Sequence, residues 1–258
     1  MRLFDSHCHI DDKTFNKDLP EVIENARNQD VIASMVVGVT RESSEKAVKI
    51  AAKYKNIYAS VGVHPHDAKN CSDKDLKELI KLCDNPCVKA WGEIGLDFNR
   101  MFSERKDQEN CFVKQLRIAD TLSLPLIFHE RDSKGRFLEL LKKNHNSDRK
   151  GVIHCFSGNL DEMMEYLELG YHIGITGIIT IQKRGIDLRE LVHHIPKNRI
   201  LIETDAPYLT PAPQKNKFRR NEPAFVKSTF LKIAEILDED TEEFAEILWN
   251  NTTELFGI

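Results

Sequence analysis

Residues 3–9 read Leu3-Phe4-Asp5-Ser6-His7-Cys8-His9, a short apolar run that passes directly into two histidines. Similar runs recur along the chain and alternate with stretches in which apolar residues return every three to four positions. This alternation predicts βα units whose strands form a parallel sheet. Most of the runs are rich in valine and isoleucine, as expected of strands that are buried on both faces.

About eight such units can be placed along the chain. The predicted strands are Leu3–His7, Ile32–Val39, Ile57–Val61, Val88–Gly92, Leu126–His129, Val152–His154, His172–Ile175 and Ile200–Glu203. The clearest predicted helices are Glu42–Lys53, Asp73–Cys83, Arg105–Leu122, Pro223–Leu237 and Thr241–Phe256. Ser72 or Asp73 can cap the helix that starts near residue 73, and Ser103 can cap the helix that starts near residue 105. The pattern predicts an α/β fold of the (β/α)₈ TIM-barrel type, with residues 1–258 as a single domain.

Composition sets the broad class of the protein. The 258 residues are 41% hydrophobic and 30% charged, which is typical of a globular protein and excludes collagen, coiled-coil and disordered classes. The formal net charge of −4 provides no global attraction for nucleic acid, so any such contact must be local. Neither a signal peptide nor a membrane span is found, and we expect a cytoplasmic protein. The six cysteines are too sparse for a disulfide framework, and Cys83 and Cys87 lack a second pair to complete a zinc site.

The first candidate site residues are His7 and His9, at the end of the first predicted strand. Because side chains alternate along a strand, both imidazoles should point the same way while Cys8 points the opposite way. Two parallel imidazoles form a chelating edge. Two histidines at a strand end can also be ordinary solvated groups, so this pair alone does not establish a metal site.

Four further ligand-type residues, Glu93, His129, His154 and Asp205, also fall where a predicted strand stops. A barrel brings its strand ends together on the face where catalytic residues lie. Each residue has another explanation: Glu93 could cap a turn, the histidines could be core residues, and Asp205 could form an Asx turn. Together, however, they would leave several buried polar groups without partners, at about 1–3 kcal/mol each, and a bound cation removes that cost.

Four imidazoles and two carboxylates are more ligands than one tetrahedral ion needs. We therefore expect two divalent ions about 3.5–4 Å apart with one carboxylate between them. Glu93 is central in sequence order and is the expected bridge. Such a pair lowers the pKa of bound water and stabilises the attacking and leaving oxygens of a displacement, so the predicted chemistry is hydrolysis.

Two carboxylates are candidates for a direct part in catalysis besides the predicted bridge Glu93. Asp205 could both bind a metal and accept a proton from the attacking water. Glu203 should point to the same side of its strand, where it could orient that water or support a histidine ligand.

Predicted substrate contacts lie around the same barrel mouth. His64 and His66 follow the third strand and could contact a phosphate or leaving oxygen, or could form a polar turn around Pro65. Arg131 could donate two hydrogen bonds to a phosphate, or could form an ion pair with a neighbouring carboxylate.

A long loop is predicted from Ala206 to Glu222, and long loops in compact domains are usually functional. It contains Lys215-Asn216-Lys217-Phe218-Arg219-Arg220, the one basic cluster near the predicted mouth. Its cations, including Arg220, could pair with phosphates while Phe218 stacks on a base of single-stranded DNA. The alternative is a solvated surface.

The chain resembles the TatD family of metal-dependent deoxyribonucleases, within the amidohydrolase superfamily, over nearly its whole length. The motifs that carry the resemblance are Phe4-Asp5-Ser6-His7-Cys8-His9, Gly62-Val63-His64-Pro65-His66, Gly92-Glu93-Ile94-Gly95-Leu96-Asp97, His129-Glu130-Arg131-Asp132, His154-Cys155-Phe156-Ser157-Gly158, Glu203-Thr204-Asp205-Ala206-Pro207-Tyr208-Leu209-Thr210-Pro211 and Arg220-Asn221-Glu222-Pro223.

The resemblance implies that His7, His9 and Asp205 hold one ion, that His129 and His154 hold the other, and that Glu93 bridges them. It also implies a DNA substrate, with single strands or 3′ ends cleaved in the 3′ to 5′ direction. Superfamily relatives often bridge their metals with a carbamylated lysine, but Lys89 should lie too deep in the barrel for that role. Magnesium prefers oxygen ligands and imidazoles suit zinc or manganese, so the metal can be Mg, Mn or Zn.

Two other functions stay open because the fold and metals do not define the substrate. The same scaffold could cleave an amide, a lactone or a small phosphoester. A nucleic-acid or protein partner with a purely structural metal site is the third possibility, and a site with room for water argues against it. Neither a membrane contact nor an obligate protein partner is predicted.

Overall fold

The computed structural model describes all residues from Met1 to Ile258. Its eight strands are parallel and neighbour one another in chain order. They are β1 (Leu3–Cys8), β2 (Val31–Val37), β3 (Ile57–Val61), β4 (Val88–Asp97), β5 (Leu126–Arg131), β6 (Gly151–Ile153), β7 (His172–Ile175) and β8 (Ile200–Ile202). The prediction of a (β/α)₈ barrel is confirmed.

The barrel closes where the chain leaves β8. The backbone N–H of Asp205 donates to the carbonyl of His7 at 2.9 Å, and the N–H of His9 donates to the carbonyl of Ala206 at 2.7 Å. A parallel bridge also joins Cys8 to Ala206. Closure therefore takes place at the C-terminal ends of the strands, and it sets His7 and His9 beside Asp205.

Helices pack around the barrel between successive strands and follow the last one. They are α1 (Leu19–Asn28), α2 (Arg41–Lys53), α3 (Asp73–Leu82), α4 (Arg105–Leu122), α5 (Arg136–Lys143), α6 (Leu160–Glu168), α7 (Ile186–Leu191), α8 (Val226–Leu237) and α9 (Thr241–Phe256). All the predicted helices are present. The stretch predicted as one helix from Pro223 begins with a short 3₁₀ turn, Pro223–Phe225, before α8 starts.

The two predicted helix caps have different outcomes. Ser72 caps α3, and its hydroxyl accepts the N–H of Asp75 at 3.1 Å. Ser103 does not cap α4, because Glu104 occupies the N-cap position. The hydroxyl of Ser103 instead donates to the carbonyl of His66 at 2.8 Å, and this tertiary contact removes it from the helix end.

The barrel interior is a small apolar core of its own. It contains Phe4, Ala33, Met35, Val37, Ala90, Ile127, Val152 and Leu201, and it is closed by Leu255 and Phe256 of the last helix. The side chain of Lys89 reaches the carbonyl of Gly257 at 3.5 Å, so it lies at the end of the barrel that α9 covers. A second, larger core fills the space between the strands and the helices.

Strand β4 is longer than predicted and is the element that differs most from expectation. It was expected to end at Gly92 but continues to Asp97, because its second half pairs with β5. Gly95 allows that pairing: its φ is +151°, and a Cβ there would lie 1.8 Å from the carbonyl oxygen of His129. The glycine allows a close backbone approach between strands rather than a turn.

Two further observations concern the membrane and the thiols. No helix in the structure is both long enough and apolar enough to cross a membrane. The six cysteines are all free. Cys83 and Cys87 are directed at two different backbone carbonyls, those of Leu79 and Val48.

Candidate metal centre

The carboxylate of Glu93 lies at the middle of a buried cluster of imidazoles. Its Oε2 atom is 3.4 Å from His7 Nε2 and 3.9 Å from His9 Nε2. Its Oε1 atom is 2.6 Å from His129 Nδ1 and 3.8 Å from His154 Nε2. The two oxygens of one side chain therefore face two different pairs of histidines.

Asp205 lies on the side of His7 and His9. Its Oδ1 atom is 3.4 Å from His9 Nε2 and 3.8 Å from His7 Nε2. His154 Nε2 is 3.9 Å from the same oxygen, so His154 faces both carboxylates. Asp205 has a left-handed backbone with a φ of +58°, a conformation that aspartate tolerates better than most residues. All six predicted ligands are thus brought together by the closed barrel.

Two strand irregularities direct these side chains inward. Phe4 and Ala90 belong to the barrel interior, so strict alternation would place Ser6 and Gly92 on that face rather than His7 and Glu93. The register of β1 shifts between Asp5 and Cys8, and that of β4 shifts between Gly92 and Ile94. Each shift turns the following side chain to the other face.

In two of the histidines an oxygen atom of the protein lies against Nδ1, and Nε2 faces the cluster. His9 Nδ1 donates to the carbonyl of Val37 at 2.9 Å, which leaves Nε2 as the lone-pair nitrogen of the neutral ring. His154 Nδ1 lies 2.8 Å from Glu203 Oε1, which again leaves Nε2 facing the cluster. Both rings are oriented as metal-ligating histidines are, with a partner behind the ligating nitrogen.

Glu203 is fully buried behind the cluster rather than exposed in its mouth. In addition to its contact with His154, the Glu203 carboxylate accepts the backbone N–H of Cys155 at 2.6 Å and lies 3.4 Å from the hydroxyl of Ser6. These contacts occupy its carboxylate with protein groups. Of the two roles considered for Glu203, this geometry favours support of His154 over direct contact with water or substrate.

His64 lies in the cluster, but its hydrogen bonds give it a different chemistry. Its Nδ1 accepts the backbone N–H of His66 at 3.1 Å, so in the neutral ring the proton must sit on Nε2. That Nε2–H points at Glu93 Oε1, 3.5 Å away. His64, Glu93 and His129 are close enough to share an ion. However, Nε2 of His64 carries a proton here, so it donates a hydrogen bond and offers no lone pair to an ion.

Asp97 is a functional candidate that the sequence analysis missed. It is buried at the end of β4, where its Oδ2 atom accepts from His66 Nε2 at 2.7 Å and lies 3.4 Å from His129 Nε2. Its other oxygen accepts the backbone N–H groups of Asn99 and Arg100. The signal that could have found it is its position at the true end of β4, five residues beyond the predicted one.

The charge state of the cluster follows from these contacts. Burial alone would raise the pKa of Glu93, but the imidazoles of His64, His7 and His154 hold it well below its usual range. Burial alone would lower the pKa of His129, but the carboxylates of Asp97 and Glu93 raise it to about 9.

His64 behaves differently, because burial lowers its pKa to about 4 and keeps it neutral. The cluster thus combines ionised carboxylates with imidazoles that would exchange their protons for a cation.

Arg131 and Arg220, both predicted to bind substrate, differ in their surroundings. Arg131 is exposed at the end of β5, and no carboxylate pairs with it. Arg220 donates two hydrogen bonds to the Asp18 carboxylate, at 2.9 and 2.6 Å, and its guanidinium lies 4.5 Å from the centre of the Phe15 ring. The structure therefore places Arg220 in an ion pair that ties its loop to α1. Sequence could not foresee this partner 202 positions away.

We predict that this ion pair contributes modestly to stability. In a double-mutant cycle of Asp18→Asn and Arg220→Ala, the coupling energy measured by urea unfolding should be about 0.5–1 kcal/mol, because both groups are partly exposed. Lys217→Ala, on the same loop but without an ion pair, is the matched control and should show no coupling to Asp18→Asn. A zero coupling energy for Arg220 would mean that its guanidinium is free for other partners.

The remainder of the predicted basic cluster packs along the outside of the barrel. Phe218 lies 5.5 Å, centre to centre, from the ring of Phe225. Together with Lys217 it lines a cleft of about 500 Å³ between α1 and α8. This cleft is separate from the Glu93 cluster, with which it shares no lining residue.

Comparison with known proteins identifies the family of this chain. A family model described as TatD related DNase matches residues 4–257. The chain belongs to the TatD-related DNase family. Among curated TatD proteins, it is 39% identical to the "3'-5' ssDNA/RNA exonuclease TatD" of Citrobacter koseri and, likewise, to that of Escherichia coli K12, each alignment covering 99% of both chains. A TatD homologue of known structure from Escherichia coli K12 superposes with a TM-score of 0.92 at 30% identity, over 100% of this chain and 98% of that one.

Family membership makes the chain a hydrolase, and TatD and amidohydrolase-like folds use divalent metals. The donor set fits such ions. Three overlapping groups each place their ligand atoms within 4.8 Å of one another, namely His7–His154–Asp205, His7–His9–Glu93 and His64–Glu93–His129. Imidazole nitrogens and carboxylate oxygens are ordinary ligands of zinc, manganese and related divalent cations.

Proposed function

We propose that this protein is a metal-dependent nuclease that hydrolyses phosphodiester bonds of single-stranded DNA or RNA from the 3′ end. The observation that carries the proposal is the Glu93 carboxylate, whose two oxygens face separate pairs of histidines. The names of the curated relatives supply the substrate and the direction of cleavage. RNA is included because those names include it, whereas the sequence motifs alone suggested DNA.

The metal set that best fits these residues has two ions. His7, His9 and Asp205 would hold one, His129 and His154 the other, and Glu93 would contribute an oxygen to each. The Nε2 atoms of His9 and His154, which face the carboxylates of Asp205 and Glu93, support this assignment. When bound, such ions supply Lewis acidity and lower the pKa of coordinated water. Zinc and manganese suit the four imidazoles better than magnesium does.

The protein's own groups have distinct parts in the reaction. Asp205, which is partly exposed beside His9, would accept a proton from the attacking water. His64, whose Nε2–H points at Glu93 Oε1, would hold that carboxylate in position rather than contact a phosphate directly. His66 is held by Asp97 with a third of its side chain exposed, and it would contact the scissile phosphate or the leaving oxygen. Arg131, without an ion-pair partner, is available for a neighbouring phosphate.

The proposal predicts metal-dependent exonuclease activity. Purified protein should shorten a 5′-labelled single-stranded oligonucleotide from its 3′ end, lose the activity with a chelator, and regain it when Zn, Mn or Mg is added back. Binding of the oligonucleotide should weaken as salt increases, because phosphate contacts release counterions. Small amide, lactone and phosphoester substrates serve as controls. Turnover of one of these, with the oligonucleotide intact, would contradict the nuclease assignment.

A further inference from the structure

Beside the metal centre lies an exposed aromatic side chain that the mechanism above does not use. Phe102, in the loop between β4 and α4, is 56% exposed. Its ring meets the edge of His66 with the centroids 4.8 Å apart, and His66 lies 6.2 Å from His129 by the same measure. A nucleotide whose phosphate reaches the Glu93 cluster would therefore carry its base to the vicinity of Phe102.

The exposure of Phe102 is imposed by a well-anchored loop. On one side Asn99 donates to Asp132 at 2.6 Å, and on the other the buried Ser103 holds the carbonyl of His66. Met101, immediately before Phe102, has a φ of +52°, a conformation unfavourable for a residue with a long side chain. Such local strain persists only where the surroundings enforce it, and it clusters at functional sites.

Two positively charged side chains near Phe102 would suit the phosphates of a nucleic-acid strand. Arg100 lies in this loop and Arg131 at the end of the adjoining strand β5; both are exposed, and neither takes part in an ion pair. An exposed aromatic ring flanked by free arginines is the combination by which proteins hold single strands, with the base stacked on the ring and the phosphates paired with the cations. Scattered exposed phenylalanines are common on protein surfaces, but this one lies in a loop anchored on both sides and contacts His66 beside the site.

We propose that Phe102 is the stacking platform for the base of the 3′-terminal nucleotide. The inference rests on the proposed nuclease function and adds to it a residue that positions the substrate.

The test compares two single-stranded oligonucleotides that differ only in whether the 3′-terminal nucleotide carries a base. Phe102→Ala should lower kcat/KM for the ordinary oligonucleotide roughly 10-fold or more, mainly through KM, because one stacked base is lost. The same variant should leave kcat/KM for the oligonucleotide with the abasic end unchanged. Phe102→Trp should keep the difference in kcat/KM between the two oligonucleotides. Phe102→Leu, which retains an apolar side chain without a π face, should lose most of that difference.

Leu231→Ala is the matched control, since Leu231 is a similarly exposed apolar residue on α8. Leu231→Ala should leave kcat/KM unchanged for both oligonucleotides. If Phe102→Ala lowers kcat/KM equally for both oligonucleotides, the residue acts through His66 and the inference is overturned. The inference is also overturned if kcat/KM changes for neither oligonucleotide. If the wild-type protein cleaves neither oligonucleotide, the proposed function itself is refuted and the inference falls with it.

Discussion

Replacement of Glu93 by glutamine is expected to lower kcat about 1000-fold. The amide keeps the size of the side chain but removes the charge that faces His7 and His9 on one side and His129 and His154 on the other. An amide has one oxygen instead of two, so it cannot contribute to both halves of the site. Loss of several kcal/mol of electrostatic stabilisation in the transition state corresponds to a loss of this size.

The measurement is steady-state cleavage of the oligonucleotide together with the metal content of the purified variant, which should fall. Glu130→Gln is the control, because Glu130 lies next to His129 on β5 but accepts the backbone N–H of Ser133. This control should stay within a few-fold of the wild type. A Glu93→Gln protein with near-normal kcat and full metal content would contradict the role of Glu93 as a bridge.

Replacement of Asp205 by asparagine is expected to lower kcat between about 100- and 10,000-fold with a much smaller change in KM. The reason is that a positioned carboxylate contributes a factor of this order when it takes a proton in the transition state. Asparagine can occupy the same left-handed backbone conformation, so the closure of the barrel at His7 should persist. Burial alone would raise the pKa of Asp205, but His9, His154 and His7 lower it, so the carboxylate is ionised and able to accept a proton.

Glu203→Gln is the informative comparison for Asp205. Glu203 touches only protein groups, so its replacement should act through the orientation of His154 and cost about 10- to 100-fold, a typical loss for a partner behind a metal ligand. Thermal unfolding of both variants should show whether either change disturbs the fold. If kcat falls more in Glu203→Gln than in Asp205→Asn, Asp205 is not the proton acceptor.

Much of this arrangement follows from the sequence. Short apolar runs that alternate with amphipathic stretches predict the barrel, and the structure confirms it. Ligand-type residues at the ends of predicted strands fall together because a closed parallel barrel must bring its strand ends to one face. That argument needs only the approximate end of each strand, so it tolerates the errors of one to five residues made at the ends of β1, β2, β4, β5, β6 and β8.

The direction of individual side chains is less accessible to sequence. Alternation from Phe4 and Ala90 would turn His7 and Glu93 away from the barrel interior, and register shifts in β1 and β4 reverse this. Such shifts depend on pairing with the neighbouring strand, which local sequence does not encode. For the same reason β4 was expected to stop at Gly92, and Asp97 was overlooked.

The choice of partners was also decided only by the tertiary structure. His64 becomes a hydrogen-bond donor because the N–H of His66 occupies its Nδ1, and Arg220 is engaged by Asp18 from a distant part of the chain. Sequence by itself determined the fold and the set of residues gathered at the barrel mouth, since these depend on periodicity and chain order. Three features depend on distances of a few ångströms between segments that are remote in sequence: the histidine nitrogen that faces the cluster, the carboxylate that faces both pairs of histidines, and the arginine that has no ion-pair partner. Only the closed barrel sets these distances.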